Sequence, residues 1–196
     1  MPDEAYWASL FDVPAILAWL DPAAARCPIA EIGCGYGTFT VPIARAAAGE
    51  VHAFDIEPSM ITRASETARA ARLTNIHFHQ RDILESGTGL PDGSMQTVLL
   101  FNILHSRQNR SFLAEAARVL RESGTVRIIH WRKDIETPRG PRWDDRPDLA
   151  SILEDVKGLG LRLDGTPRIL EPYHWGMCLK KGGIDADRDH PRDKRA

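Results

Sequence analysis

Glu31-Ile32-Gly33-Cys34-Gly35-Tyr36-Gly37-Thr38-Phe39 is the stretch that decides the fold of this chain. Its three glycines stand at every second position behind a short apolar run, and the residues 40–48 that follow are compatible with a helix. This order predicts a strand, a tight turn and a helix, because glycine adopts backbone angles and permits close approaches that a side chain forbids. The helix start presents unpaired N–H groups and a partial positive charge, so a cofactor can lie against the backbone there.

A second acidic residue follows the glycines at a spacing that suits a nucleotide site. Asp55 stands 18 residues after Gly37, in the apolar run 51–56. A carboxylate at the end of the second strand can accept hydrogen bonds from both hydroxyls of a ribose. The alternative is that Asp55 only turns the chain before Pro58 and caps the next helix.

Strand-like and helix-like segments alternate five times along the first two thirds of the chain, which predicts a parallel sheet with right-handed crossovers. The predicted strands are 28–32, 51–56, 76–80, 97–101 and 125–131, and the main predicted helices are 38–48, 59–73 and 109–121. A helix over 149–157 and two directly joined strands, 161–169 and 175–180, complete the pattern. We therefore expect an α/β fold: a Rossmann-like seven-stranded, mostly parallel sheet with helices on both faces and a C-terminal antiparallel hairpin.

The length of 196 residues fits one domain. We expect this domain to cover residues 1–181, with the aromatic-rich residues 1–20 forming one or two short helices that act as a lid and Pro14 at a break or first turn. Residues 182–196 are charged and poor in apolar side chains, which predicts a disordered tail.

Composition limits the classes of function. The formal net charge of −2 argues against a general nucleic-acid or membrane-surface binder. The three cysteines show no metal-ligand spacing and are expected to be reduced thiols in a cytoplasmic protein that binds no metal. No apolar run is long enough to span a membrane. A monomer and a homodimer are both compatible with the sequence.

The G-x-G-x-G spacing behind Glu31 resembles motif I of the class I S-adenosylmethionine-dependent methyltransferases. The dinucleotide fingerprint G-x-G-x-x-G is not met, because its third glycine would fall on Thr38 or Thr40. Residues 118–124 and the turn 90–94 also resemble this family, and the resemblance covers residues 28–131 clearly and 149–181 more loosely. The nearest subgroup is that of small, domain-only enzymes that methylate small molecules.

The resemblance implies S-adenosylmethionine as the cofactor. It places Glu31 towards the methionine amino group, Asp55 on the ribose, and Asp82 on the adenine amino group, with a helix cap as the alternative role of Asp82. The full set of implied cofactor-binding residues is Glu31, Gly33, Cys34, Gly35, Gly37, Asp55, Ile56, Asp82, Ile83 and Asn102.

The sequence offers several candidates for the residues that contact the methyl acceptor. His105 is the candidate general base because it follows the fourth strand, and His130, Tyr173 and His174 are alternatives. Asn102-Ile103-Leu104-His105 lacks the prolines and the aromatic residue of enzymes that methylate nucleic-acid amino groups, so we expect a small-molecule acceptor and no nucleic acid.

The basic loop 132–148 is either a lid for an anionic or aromatic acceptor or a solvated loop. Tyr6, Trp7, Trp131 and Trp143 are further candidates for lining the acceptor pocket. An NAD(P)-dependent oxidoreductase and a non-catalytic cofactor-binding module remain as alternative functions.

Overall fold

The structure is a computed structural model and describes residues 3–22, 28–105 and 108–182. The predicted tail lies outside the described residues except for Gly182. The helices of the described part are α1 Glu4–Ala8, α2 Val13–Leu20, α3 Thr40–Ala46, α4 Pro58–Ala70, α5 Ile83–Ser86, α6 Asn109–Val119 and α7 Leu149–Asp155. The strands are β1 Ile29–Ile32, β2 Val51–Asp55, β3 Ile76–Gln80, β4 Met95–Phe101, β5 Leu120–Trp131, β6 Leu161–Leu163, β7 Arg168–Leu170 and β8 His174–Lys181.

The strands form one mixed sheet in the order β3-β2-β1-β4-β5-β8-β6, with β7 paired to β8. The first five strands are parallel, and β8 runs antiparallel to β5, β6 and β7. This confirms the predicted Rossmann-like, mostly parallel sheet with an antiparallel C-terminal hairpin. The strand order reverses beside β1, which places a crevice at the carboxyl ends of β1 and β4.

Both faces of the sheet are covered. One apolar core packs β1, β4 and β5 against α6 and α7, with Leu113 and Ile152 fully buried. The other core lies between the sheet, α3 and the two N-terminal helices, with Ile16 and Ile43 buried. Every residue of β1 is buried, as expected for a parallel strand between two layers.

Two predicted elements differ from the observed ones. The strand predicted at 161–169 is split into β6 and β7, so the sheet has eight strands rather than seven. Gly165 has a φ of +74° and the N–H of Asp164 donates to the carbonyl of Cys178 at 2.9 Å, so the chain turns there instead of continuing the ladder. Helix α6 ends at Val119 rather than at residue 121, because Leu120 is extended and pairs with Met95 of β4.

The N-terminal helices pack against one face of the sheet. The predicted break is confirmed: Asp12 caps α2 by accepting from the N–H of Ala15 at 3.0 Å, and a proline stands in the first turn. The carboxylate of Glu4 in α1 pairs with Arg63 of α4 at 2.7 Å. No described helix combines the length and the apolar character needed to cross a bilayer.

Two histidines are fully buried where β5 and β8 pair. His130 and His174 each have a relative exposure of 0%, and burial lowers the pKa of both imidazoles to about 3. His174 lies between the rings of Phe11 and Trp131, with both centroids 4.3 Å away. Both side chains are therefore neutral at physiological pH.

Replacing His174 with Phe should reduce the loss of unfolding free energy that accompanies a fall in pH below about 6.5. An unfolded histidine binds a proton below pH 6.5, whereas folded His174 stays neutral down to about pH 3, so the native state loses stability as the pH falls through this window. The expected loss is about 1.4 kcal/mol per pH unit for this histidine. Urea unfolding of both proteins between pH 6.5 and about 5 measures this loss. All other titratable groups are the same in the two proteins, so an equal dependence of unfolding free energy on pH would contradict a lowered pKa for His174.

Candidate active site

The glycine turn is held by backbone hydrogen bonds to the next strand. The N–H groups of Gly33 and Cys34 both donate to the carbonyl of Phe54, at 2.8 and 2.9 Å. Gly33 has a φ of +80°, and a Cβ atom built on it would lie 2.5 Å from Cγ2 of Ile103. Glycine is thus required at this position both by the backbone angle and by the close approach of the loop after β4.

Two of the three motif residues that follow Gly33, namely Cys34 and Gly37, contribute to the packing of the turn. Gly37 has a φ of +79°, and a Cβ atom there would meet the Cβ of Ala64 at 3.1 Å, so this glycine lets α3 approach α4. Cys34 is buried, and this burial raises the pKa of its thiol. Neither residue lines the cavity beside the turn, although both belong to the predicted cofactor-binding set.

Asp55 joins the end of β2 to the glycine turn. Its Oδ2 accepts from the N–H of Gly35 at 2.8 Å, and its Oδ1 accepts from the N–H of Glu57 at 3.0 Å. Each carboxylate oxygen has two acceptor positions, so both retain capacity for a further donor. The side chain lines the cavity and is fixed in place by the turn it faces.

Glu31 lies beneath the turn rather than in the cavity. It is 1% exposed, and its Oε2 accepts from the hydroxyl of Thr40 at 2.5 Å. Burial raises the pKa of Glu31, the hydrogen bond from Thr40 lowers it and the charge of Asp55 raises it, and the net result is a pKa of about 8. The carboxyl group is therefore mostly protonated at neutral pH.

A cavity of about 380 Å³ opens at the carboxyl ends of β1, β2 and β4. It brings together eight of the predicted site residues, namely Gly33, Gly35, Asp55, Ile56, Asp82, Ile83, Asn102 and His105. The cavity is also lined by Ile103, Phe112 and Arg81, none of which was predicted from the sequence. Ile103 could have been predicted to line the cavity, because it is adjacent to Asn102 in the sequence. Nothing in the sequence distinguishes Phe112 from a core residue of α6.

Asp82 caps the short helix α5. Its Oδ1 accepts from the N–H groups of Leu84 and Glu85, at 2.9 and 3.3 Å. The structure thus shows the capping role that the sequence left open, and it also places this residue in the wall of the cavity.

Asn102 ends β4 in a left-handed backbone conformation with a φ of +56°. Its N–H donates to the carbonyl of Ile129 at 2.8 Å. Both polar atoms of its side-chain amide are buried and have no hydrogen-bond partner in the described part of the chain. Buried amides are normally satisfied, so this residue marks a place where a ligand or water completes the structure.

His105 is the one candidate base that borders the cavity. It is exposed and also borders a second, more polar cavity of about 290 Å³ beside the loop after β5. His130, Tyr173 and His174 line neither cavity, and the two buried histidines have pKa values of about 3, too low for a base at neutral pH.

Of the four aromatic candidates, only Trp7 lines the first cavity, whereas Tyr6 and Trp143 are exposed and Trp131 is buried. Trp7 reaches the cavity from α1. In residues 3–22, 28–105 and 108–182, no three His, Cys, Asp or Glu side chains are grouped as ligands for a metal ion.

Comparison with known proteins identifies the class. The model of the methyltransferase-domain family matches residues 29–124. The fold is that of a solved S-adenosylmethionine-dependent methyltransferase from Aquifex aeolicus, with a TM-score of 0.77, 21% identity, and coverage of 91% of this chain and 94% of that one. Magnesium protoporphyrin IX methyltransferase from Synechocystis, solved with bound S-adenosylmethionine, gives a TM-score of 0.67 and 17% identity over 87% of this chain and 78% of that one.

The curated relatives match a smaller part of the chain. The 23S rRNA (uracil(1939)-C(5))-methyltransferase RlmD of Hahella chejuensis is 29% identical over 116 residues, which is 58% of this chain. The enzyme of the same name from Pseudomonas putida is 37% identical over 86 residues, or 43% of this chain. The matched regions span 25% and 19% of the length of these two relatives.

The glycine turn, the strand order and the family match agree. Residues 29–124 match a methyltransferase domain, and the described chain has the fold of solved S-adenosylmethionine-dependent methyltransferases. The domain over residues 29–124 indicates S-adenosylmethionine as the methyl donor. The oxidoreductase alternative and the non-catalytic alternative are not supported.

Replacing Gly33 with Ala should abolish cofactor binding. The new Cβ would meet Ile103 at 2.5 Å, and Ile103 is β-branched and stiff, so the loop after β4 must move. Gly165→Ala is a matched control, because Gly165 has a similar φ of +74° but no neighbouring atom within 4 Å. We expect both variants to lose about 1–2 kcal/mol of stability from the left-handed backbone, but only the first to lose S-adenosylhomocysteine binding in calorimetry. Equal binding by the two variants would contradict the packing role of Gly33.

Proposed function

We propose that this chain is a cytoplasmic enzyme that transfers the methyl group of S-adenosylmethionine to a small molecule, with residues 1–181 acting as one catalytic domain. The observation that carries this proposal is the cavity of about 380 Å³ beside a second cavity, with His105 bordering both. A cofactor in the first cavity and an acceptor in the second would meet at this residue. The buried, free thiols of Cys34 and Cys178 agree with a reducing compartment.

The residues around the first cavity suit the parts of the cofactor. Asp55 retains acceptor capacity for the ribose hydroxyls, Ile56 offers a 56% exposed side chain for the adenine face, and Ile83 backs the ring. Asp82 would accept from the adenine amino group, since its cap to α5 uses only Oδ1. Gly33 and Gly35 let the ligand approach the backbone, and the orphaned amide of Asn102 would meet its methionine end.

The sulfonium of the cofactor supplies an electrophilic methyl group. The protein then has to hold the acceptor atom in line with that group and keep water out, a positioning effect that can lower the barrier by about 7–11 kcal/mol. Trp7 and Phe112 provide apolar walls that exclude water. His105 would accept a proton from an acceptor that carries one.

Two observations favour a small molecule over RNA, although the curated relatives named above act on 23S rRNA. The formal net charge of the chain is −2, and in the lining of the second cavity the three carboxylates of Asp144, Asp145 and Asp148 outnumber the two cations, Lys133 and Arg146. Carboxylates at the acceptor position would repel a phosphate backbone. The match to those relatives covers about a quarter of their length or less.

Transfer of a labelled methyl group tests the proposal directly. The purified protein is incubated with methyl-labelled S-adenosylmethionine and either a protein-free, RNA-free metabolite extract or purified 23S rRNA. We expect label in a small molecule and none in the rRNA. Asp55→Asn should lower the transfer by at least about tenfold through lost ribose binding, whereas Glu122→Gln, an exposed residue of β5 away from both cavities, should not. Label confined to rRNA would overturn the proposed acceptor class.

Cofactor binding should release a proton from Glu31. The free carboxyl group is mostly protonated at pH 7 because its pKa is raised to about 8, and the ammonium group of the bound cofactor favours the carboxylate. Calorimetry with S-adenosylhomocysteine in two buffers of different ionisation enthalpy counts the protons released. Wild type should release close to one proton at pH 7, and Glu31→Gln should release none. The same proton count in both proteins would show that Glu31 does not face the amino group.

A further inference from the structure

Helix α5, which contributes to the wall of the first cavity, is a single turn that neighbouring side chains hold at both ends. It has four residues, Ile83–Ser86, which are too few for a helix that is stable by itself. At its start, Oδ1 of Asp82 accepts from two backbone N–H groups. At its end, the carbonyl groups of the last turn have no partner within the helix and need a donor from elsewhere.

Arg81 supplies these donors. Its Nε donates to the carbonyl of Gly87 at 2.6 Å, and its Nη2 donates to the carbonyl of Ser86 at 2.9 Å. A Cβ atom built on Gly89 would lie 3.2 Å from Cζ of Arg81, so this glycine leaves room for the guanidinium group. The residue that precedes the N-terminal cap of α5 therefore closes the C-terminal end of the same helix.

The backbone of Arg81 is fixed to the ribose side of the cavity. Its N–H donates to the carbonyl of Asp55 at 2.8 Å, where β2 and β3 end side by side. The main chain of Arg81 is thus attached to the residue proposed to bind the ribose, and its side chain is attached to the end of α5. Asp82 lies between these two attachments, so both determine its position.

The loop after α5 is anchored to α6. The N–H and the hydroxyl of Thr88 donate to Oε1 of Glu115, at 2.6 and 2.7 Å. Arg118 donates to both oxygens of the same carboxylate, at 2.8 and 2.7 Å, and chiefly for this reason the pKa of Glu115 is lowered to about 2. The segment that Arg81 holds is therefore tied by an ionised carboxylate to the helix that carries Phe112, a further residue of the cavity wall.

This arrangement leaves one acceptor of Asp82 free in a fixed position. Its Oδ2 makes no hydrogen bond with a residue of the described part, and the side chain lines the cavity beside Arg81 and Ile83. An acceptor that is held in place distinguishes a donor from another acceptor. It would bind the amino group at position 6 of adenine and repel the oxygen that a 6-oxo purine carries there.

We propose that Arg81 is a positioning residue for the cofactor, which acts by holding Asp82 and Ile83 in place as an adenine-selective wall. This inference rests on the proposed function, in which the adenine ring lies against these two residues. Arg81 acts through the helix, because two of its three guanidinium nitrogens are bound to the carbonyls of Ser86 and Gly87. Its loss should weaken the recognition of adenine more than the binding of the rest of the cofactor.

Two ligands that differ at one position of the purine measure this role. Calorimetry gives the Kd of S-adenosylhomocysteine and that of S-inosylhomocysteine, in which an oxygen replaces the amino group. Wild type should bind the first at least about tenfold more tightly, since the second leaves Asp82 without its donor. In Arg81→Met, which keeps a long side chain but removes its donors, the two Kd values should agree to within about twofold.

The ratio of the two Kd values separates positioning from stability, because a loss of folded protein affects both ligands equally. Arg110→Met is the matched control. Arg110 also donates to two carbonyl groups at the end of a helix, those of Asp155 and Lys157 beside α7, but it lines neither cavity. We expect this variant to keep the wild-type ratio.

A second pair of variants leaves Arg81 in the chain and disturbs its guanidinium group. Gly89 and Gly165 both have a φ of +74°, so alanine strains the backbone equally at the two positions, but only Gly89 adjoins Arg81. We expect Gly89→Ala to lower the ratio and Gly165→Ala to preserve it.

A wild-type ratio in Arg81→Met, or an equal fall in Arg110→Met, would overturn the role of Arg81 and leave the proposed adenine site intact. If Arg81→Met does not fold, equal ratios in the two glycine variants would overturn it. Equal Kd values for the two ligands in wild type would also overturn the proposed contact between Asp82 and the adenine amino group.

Discussion

The hydrogen bond from the N–H of Gly35 to the carboxylate of Asp55 is the contact on which the site depends. It joins the turn after β1 to the end of β2, two strands that are already neighbours in the sheet. The turn can follow this path because Gly33 takes a φ of +80° beneath Ile103. The spacing of the glycines therefore fixes the path of the turn, and the turn fixes the position of Asp55. The cavity is the space that remains between the ends of the strands.

Chemically similar side chains differ in burial around this cavity. Glu31 and Asp55 stand at the ends of adjacent strands, yet Glu31 is enclosed and its pKa is raised to about 8, whereas Asp55 is partly open to the cavity. His105 is exposed, while burial holds the pKa of His130 near 3 only 6.1 Å away between ring centroids. Within each pair the side chains differ in solvent exposure rather than in chemical type. Asp55 and His105 are therefore accessible to a ligand, whereas Glu31 and His130 are enclosed by the protein.

The sequence was sufficient to predict the parts of the fold that repeat or that need a special residue. The strands, the glycine turn and Asp55 follow from periodicity and from backbone requirements, and eight predicted site residues line one cavity. The loop after β5 was not predictable in the same way, because side-chain direction in an irregular segment follows no period. Nothing in the sequence shows that Arg146 turns inward to the loop carbonyls while Asp144 faces the cavity. The split of β6 and β7 depends on Gly165, whose role in a turn is visible only once the strand partners are known.

The five-residue helix α1 has no buried residue of its own and is joined to α4 by one exposed ion pair, yet it contributes Trp7 to the cavity wall. Trp7 is held there by edge contacts with Phe11 and Trp131, whose ring centroids are 4.9 and 6.4 Å from its own. A substitution in α1 can therefore alter the shape of the cavity through a residue that lies outside the glycine turn and the strand ends.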